Sequence, residues 1–437
     1  MWQTIVNAFK IKEVRKKIII TIALLFVYRL GCFIPVPGVN LMAGLGEYTF
    51  LQVMSAVSGG ALQYGTFFAM GIGPYINASI IIQLLTVAIP ALERLSKQGE
   101  EGRKRINAYT RILTLILAIV QSIGIIFAFK DQTTAAGVQS IEFARIFGDQ
   151  GFGLVMSYIF LVTVYTAGAC FTMWLGERIT DYGVSNGISL LIFAGILSTA
   201  GTSILGVANG FGNAATAASS AWTLIGFVIA AVLIFAAIVT VDSAERKIPV
   251  QYAKQVKGRK MYGGQSTHIP IKVNSSGVMP LIFAYSILSF PDLIISLAGG
   301  KSDNWWSKYV GTGTIPYMVL LCVLILFFSY FYNQMQFNPD DISKSIQGNG
   351  GFIPGTRPGK PTADYLKRVA GRITLFGAIY LAVVALVPSL IFQFIGGATL
   401  INVFSATGLL IVVSVALEFE QALQSQIMMK NYKGFLK

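Results

Sequence analysis

The sequence predicts an all-α polytopic membrane protein with ten transmembrane helices. Three observations carry this. Only 12% of the 437 residues are charged and 54% are hydrophobic. A soluble chain averages about 25% charged, and half that density cannot cover a compact soluble body of this size. Apolar stretches of the roughly 20 residues a bilayer core requires recur ten times. Finally, Lys and Arg fall almost wholly on one side when those stretches are threaded through a membrane.

The first stretch, 18–36, follows a basic amphipathic start and lacks a small-residue cleavage site, so it reads as a span and not as a cleaved signal. The others are 72–91, 112–129, 152–175, 186–207, 222–242, 276–298, 315–335, 373–395 and 398–418. The last two are separated by little more than Gly396 and Gly397, which predicts a tight outer hairpin. The net charge is +14, from 33 Lys and Arg against 19 Asp and Glu. With the N-terminus cytoplasmic, the cytoplasmic segments hold 28 basic residues and the outer segments 4, Arg29 being the remaining one. Both ends are then cytoplasmic. Ten spans divide into two halves of five, 1–207 and 208–437. Halves of odd span count enter from opposite sides, which is the arithmetic of an inverted repeat.

The rare residues exclude several function classes. Cys32, Cys170 and Cys322 lie far apart in or beside apolar runs, without metal-site spacing, and read as small hydrophobes. His268 has no Cys or His partner nearby, and no Walker A, GxSxG or HExxH motif occurs. No metal, cofactor or catalytic group is expected, and a membrane-embedded enzyme lacks its paired groups. All acids lie outside the middle of the spans; Asp242, Asp292, Glu418 and Glu420 mark span ends. An ion-coupled small-solute transporter, the competing reading, usually needs intramembrane acids or histidines. Arg29, the one ionisable residue well inside an apolar run, reads as snorkelling to the outer interface onto backbone carbonyls.

Residues 38–71 are apolar but broken by glycines and polar residues. They form either an outer-surface amphipathic helix, which composition favours, or a re-entrant segment buried in protein. Two loops are longer than topology needs. In 243–275 apolar positions alternate at Ile248, Val250 and Tyr252 and again at Ile269, Ile271 and Val273, predicting a β-like hairpin with a basic tip of Lys254, Lys257, Arg259 and Lys260. In 337–372, glycine and proline stretches frame Arg357 and Lys360. Orientation signalling and attraction to anionic lipid explain some of this charge, but not long projecting loops.

Several stretches carry a family resemblance. Residues 70–85 read MGIGPYINASIIIQLL, preceded by YRLG at 28–31, IPVPG at 34–38 and SGGAL at 58–62. Downstream stand GERIT at 176–180, GIS at 187–189, QSTHIPIKVN at 265–274 and PGTRPG at 354–359. From about residue 10 to 437 the chain resembles the SecY family, the large subunits of bacterial Sec protein-conducting channels. The first outer loop and 299–314 match loosely.

The resemblance implies two inverted five-helix halves around an hourglass pore with a short re-entrant plug helix at about 55–67. It places Ile76, Ile80, Ile188, Ile192, Ile282 and Ile411 in an apolar pore ring. Ser58, Gly59, Gly60, Ala61 and Leu62 fall in the plug, where small residues would permit loose, reversible packing. Asn77, Gln83, Thr86 and Phe290 fall at a lateral gate between spans two and three on one side and seven and eight on the other. The basic loops would dock a SecA-like motor ATPase or the ribosome through ribosomal RNA phosphates. SecE-like and SecG-like small membrane subunits, anionic lipid, and secretory and membrane protein precursors complete the implied partners. The implied function is translocation of unfolded polypeptides across a bacterial cytoplasmic membrane, with sideways release of apolar segments into lipid.

Overall fold

The computed structural model describes residues 2–40, 55, 58–130, 139–209, 229, 232–252, 255–257, 260–262, 266–274, 277–297, 305–311, 314–395 and 406–434. Its helices are Trp2–Lys10 (α1), Lys12–Gly31 (α2), Gly73–Ala88 (α3), Pro90–Ser96 (α4), Glu100–Phe129 (α5), Gly151–Tyr182 (α6), Gly187–Asn209 (α7) and Val232–Asp242 (α8). They continue with Met279–Leu297 (α9), Trp305–Val310 (α10), Ile315–Gln336 (α11), Pro339–Gly348 (α12), Lys360–Ile395 (α13) and Ala406–Gly434 (α14). Each of the ten apolar stretches is overlapped by one of these helices. Among the described residues, α5, α6, α13 and the helix beginning at Ile315 are long and apolar enough to cross a membrane, and α3 with α4 makes a fifth, bent by 105°.

Local chemistry sets these ends. Ile89 precedes Pro90 and is forced to an extended backbone (φ −108°, ψ 113°), which breaks α3 from α4. Thr314 caps α11, its hydroxyl accepting from the Tyr317 amide, with Pro316 in the first turn. Asn338 caps α12 ahead of Asp340 and Asp341, acids that suit a helix N-terminus. Helices α5, α13 and α14 run well past their apolar stretches. In α5 the polar extension carries the i, i+4 pairs Glu100–Lys104 (3.7 Å) and Glu101–Arg105 (3.1 Å).

The 243–275 loop forms the expected hairpin. Strand β1 (Glu245–Tyr252) pairs antiparallel with β4 (Ser266–Lys272), Ile248 opposite Ile269 and Pro249 opposite His268. Between them β2 (Gln255–Lys257) pairs with β3 (Lys260–Tyr262). The sequence does not announce a third partner: β5 (Gly351–Phe352), from the second long loop, pairs with the other edge of β1. Ile248, Val250 and Ile271 then share one apolar core with Ile346, Ile353 and Leu366. The two loops are one body, rooted on α12 and α13.

Among the described residues, the largest apolar cluster joins helices of both halves: α2, α3, α6 and α7 with α8, α9, α11, α13 and α14. A second, within the first half, packs α5 and α6 around Val36, Leu62 and Ile141.

Candidate functional site

All six isoleucines expected to ring a pore fall in the cluster that joins the halves. Ile80, Ile192 and Ile411 are buried, while Ile76, Ile188 and Ile282 are half-buried against them. Four helices bring them: α3, α7, α9 and α14. The tight α6–α7 corner sets the height of Ile188, whose amide donates to Asn186 Oδ1 at 3.1 Å, while the Gly187 amide donates to Thr180 Oγ1 at 2.9 Å.

At the expected gate, Phe290 of α9 packs against the first half's own cluster, which contains Ile125, Ile126 and Phe129 of α5. Tyr332 of α11 faces Gln83 of α3 across the same seam. Gln83 Nε2 donates to Ser79 at 3.2 Å, and its Oε1 is buried with no hydrogen-bond partner among the described residues. Asn77 is buried on α3. Thr86 is buried too, its hydroxyl donating to the Ile82 carbonyl at 2.7 Å in its own helix.

The described part of the expected plug differs from two of the sequence readings. It is not an outer-surface helix: Ser58, Ala61 and Leu62 are buried, and 58–65 runs as consecutive turns. Residues 41–54 and 56–57 lie outside the described residues, so the expected plug helix is only partly covered. Nor is the packing loose. Gly59 has φ +69°, which favours glycine, and a methyl group there would lie 2.6 Å from Arg29 Nη1 and 2.9 Å from the Gly195 backbone. The Gly60 amide donates to the Ser55 carbonyl at 2.8 Å, and the Phe67 amide to the Ile34 carbonyl at 2.9 Å. Just beyond, Phe68 stacks on Tyr28 and on Phe171, each at 5.8 Å between centroids. Gly59→Ala should therefore unseat the segment, read as faster thiol labelling of Cys32, which is buried and donates to the Ser58 carbonyl at 3.9 Å. An unchanged labelling rate would mean that Gly59 is not closely held.

Arg29 does not snorkel to backbone carbonyls. Its Nη2 donates to Ser198 Oγ of α7, and its guanidinium lies over the Phe33 ring at 5.6 Å. Distance in sequence hid this partner.

Of the expected docking residues, Arg357 and Lys360 are exposed at the turn leading into α13. That turn is fixed by Thr362 Oγ1 donating to the Arg357 carbonyl (2.7 Å) and by Ser343 Oγ donating to the Gly359 carbonyl (2.6 Å). Lys257 and Lys260 are opposite each other in the β2–β3 ladder. Lys254 and Arg259 lie outside the described residues.

One cluster was missed by the sequence reading, which noted Asp242 only as a span-end acid. Asp242 Oδ1 accepts from Asn274 Nδ2 at 2.8 Å, and its Oδ2 accepts from Ser414 Oγ. Lys272 Nζ donates to Gln421 Oε1 at 2.6 Å. A methyl on Gly377 would come within 2.5 Å of the Val273 carbonyl, so α13 passes directly against the root of the sheet. The hairpin is thus tied at both its roots to α14, the helix that carries Ile411.

The SecY family model matches residues 66–420. The chain belongs to the SecY family. It is 41% identical to the protein translocase subunit SecY of Mycobacterium bovis, over all of both chains, and 42% identical to that of Corynebacterium glutamicum, over 99% of each. Its fold matches a solved protein-conducting channel with a TM-score of 0.68 at 20% identity, over 94% of this chain and 92% of that one. It also matches Sec61 in the canine ribosome-channel complex from the endoplasmic reticulum (TM-score 0.63, 18% identity, covering 94% and 92%). The chain is thus a SecY-family, multi-pass membrane channel protein.

Proposed function

We propose that this chain is the channel-forming subunit of a protein translocase in a bacterial cytoplasmic membrane, with both ends cytoplasmic and no catalysis of its own. The observation that carries the reading is the single apolar cluster in which both halves place their isoleucines, capped by a buried, glycine-bearing segment. A narrow apolar waist disfavours water and hydrated ions. It has no hydrogen-bonding preference, so an extended peptide of any sequence can pass. Displacing residues 58–62 would open the outer funnel. Parting Phe290 from α5, and Gln83 from Tyr332, would open the side of the bundle to lipid, so that an apolar segment partitions out.

Energy then comes from a partner. The joined loops form one docking body for a SecA-like motor ATPase or a ribosome, and SecE-like and SecG-like subunits would brace the bundle. The test is reconstitution with these subunits, motor, ATP and a secretory precursor, with protection of the precursor from protease as the readout. If no precursor becomes protected while an ion gradient drives solute uptake, the reading fails.

A second test concerns the loops. Arg357→Glu with Lys360→Glu should abolish most motor-driven translocation while leaving the bundle folded, because both side chains are exposed. Ribosome binding through RNA phosphates should also fall steeply between 50 and 200 mM salt, by roughly tenfold or more for each few phosphates contacted. Salt-independent binding would rule out phosphate contacts.

A further inference from the structure

Arg29 has no task in the transport scheme above, yet its surroundings are unusual. Its Nη2 is bonded to Ser198, but its Nη1 is buried with no hydrogen-bond partner among the described residues. Among those residues no carboxylate lies within ion-pair distance of it. The group that lies against Nη1 is Gly59, so close that even a methyl group would not fit between them. The seated 58–62 segment therefore covers a cationic donor and gives it no acceptor. A buried, unmatched hydrogen-bonding group is costly, more so when it is charged. The cost exists only while the segment is seated, because a vacated funnel lets water reach the guanidinium.

We propose that Arg29 is a positioning residue that opposes closure: its unmatched nitrogen keeps the seated segment near balance, so that an arriving precursor can displace it. The inference rests on residues 58–62 acting as a plug. A latch would be built the other way, with acceptors on the segment aimed at the guanidinium. Ser198 and the Phe33 ring partly relieve the charge, which limits how far closure is opposed.

Cys32 supplies the readout, being a free thiol buried beneath Ser58. In the full complex with Cys170→Ser and Cys322→Ser, reconstituted into vesicles, an impermeant maleimide added to both faces reports how often the segment lifts. Arg29→Met should slow Cys32 labelling by about tenfold, the scale of one unmatched charged donor. Ser198→Ala should speed it, because the guanidinium then loses its relieving partner. Each rate is divided by that of the same variant held open by a stalled precursor, which cancels any direct effect of the Arg29 cation on thiol reactivity; on that ratio loss of packing alone would speed both variants, so opposite signs carry the inference. If Arg29→Met labels at an unchanged or higher rate, or if Ser198→Ala fails to accelerate, the inference is overturned. A stalled precursor in the otherwise unsubstituted channel separates it from the plug reading. If labelling does not rise with that precursor, residues 58–62 are not a plug and both claims fall. If it rises and Arg29→Met is not slower, only the role of Arg29 falls.

Discussion

Replacing Ile411 by Asn should raise the resting ion conductance of the reconstituted channel by tenfold or more and admit precursors with weak signal sequences. Ile411 is buried, 6% exposed, where α14 enters the cluster joining the halves. An amide there meets aliphatic neighbours and no partner, at a cost of about 1–3 kcal/mol to the packed state. It also invites water into a constriction whose barrier depends on being dry. Single-channel recording and a panel of graded signal sequences check both effects. Unchanged leak together with unchanged selectivity would remove Ile411 from the waist.

The second large effect is expected at a residue outside the proposed waist. Asp242→Ala should leave motor or ribosome docking within about twofold of its starting affinity, yet lower partner-driven translocation by about tenfold. Asp242 holds Asn274 at the root of the hairpin and Ser414 one helical turn from Ile411. Its removal strands both donors, and hydrogen bonds to a charged group contribute about 1.5–3 kcal/mol each. The docking body would then sit on α14 without a fixed linkage. Combining Asp242→Ala with Ile411→Asn should recover part of the loss, because the waist is already loosened. If docking and translocation fall together, Asp242 merely supports the loop; if neither falls, the linkage is idle.

The bundle was legible because lipid imposes a coarse rule that composition obeys: ten apolar stretches, each with a helix. The hairpin was legible for a similar reason, since Ile248 and Val250 are buried and alternate with exposed neighbours as a half-buried strand must. What escaped is of two kinds. Hydropathy marks where a helix meets lipid and not where it ends, so the polar start of α5 at Glu100 and the run of α14 to Gly434 were invisible. Contacts distant in sequence leave no periodic trace. Ser198 is no more conspicuous than any other serine in a span until Arg29 is placed beside it, and nothing in Gly351–Phe352 announces a strand for β1. Family resemblance supplied the isoleucine positions, which spacing alone could not separate from the many other isoleucines of the spans.

The shared sheet has a consequence for the covalent chain itself. The β1–β4 ladder pairs seven residues from Glu245 to Gln251, and β5 reinforces its far edge. A backbone cut between Lys257 and Lys260 therefore leaves every one of those pairs intact and separates the chain into pieces carrying six and four of the ten stretches. The pieces remain stapled through the ladder, the apolar core beneath it and the large cluster within the bundle. Continuity of the polypeptide between Lys257 and Lys260 is dispensable for cohesion, so two separately encoded parts divided there should reassemble through the ladder and the bundle.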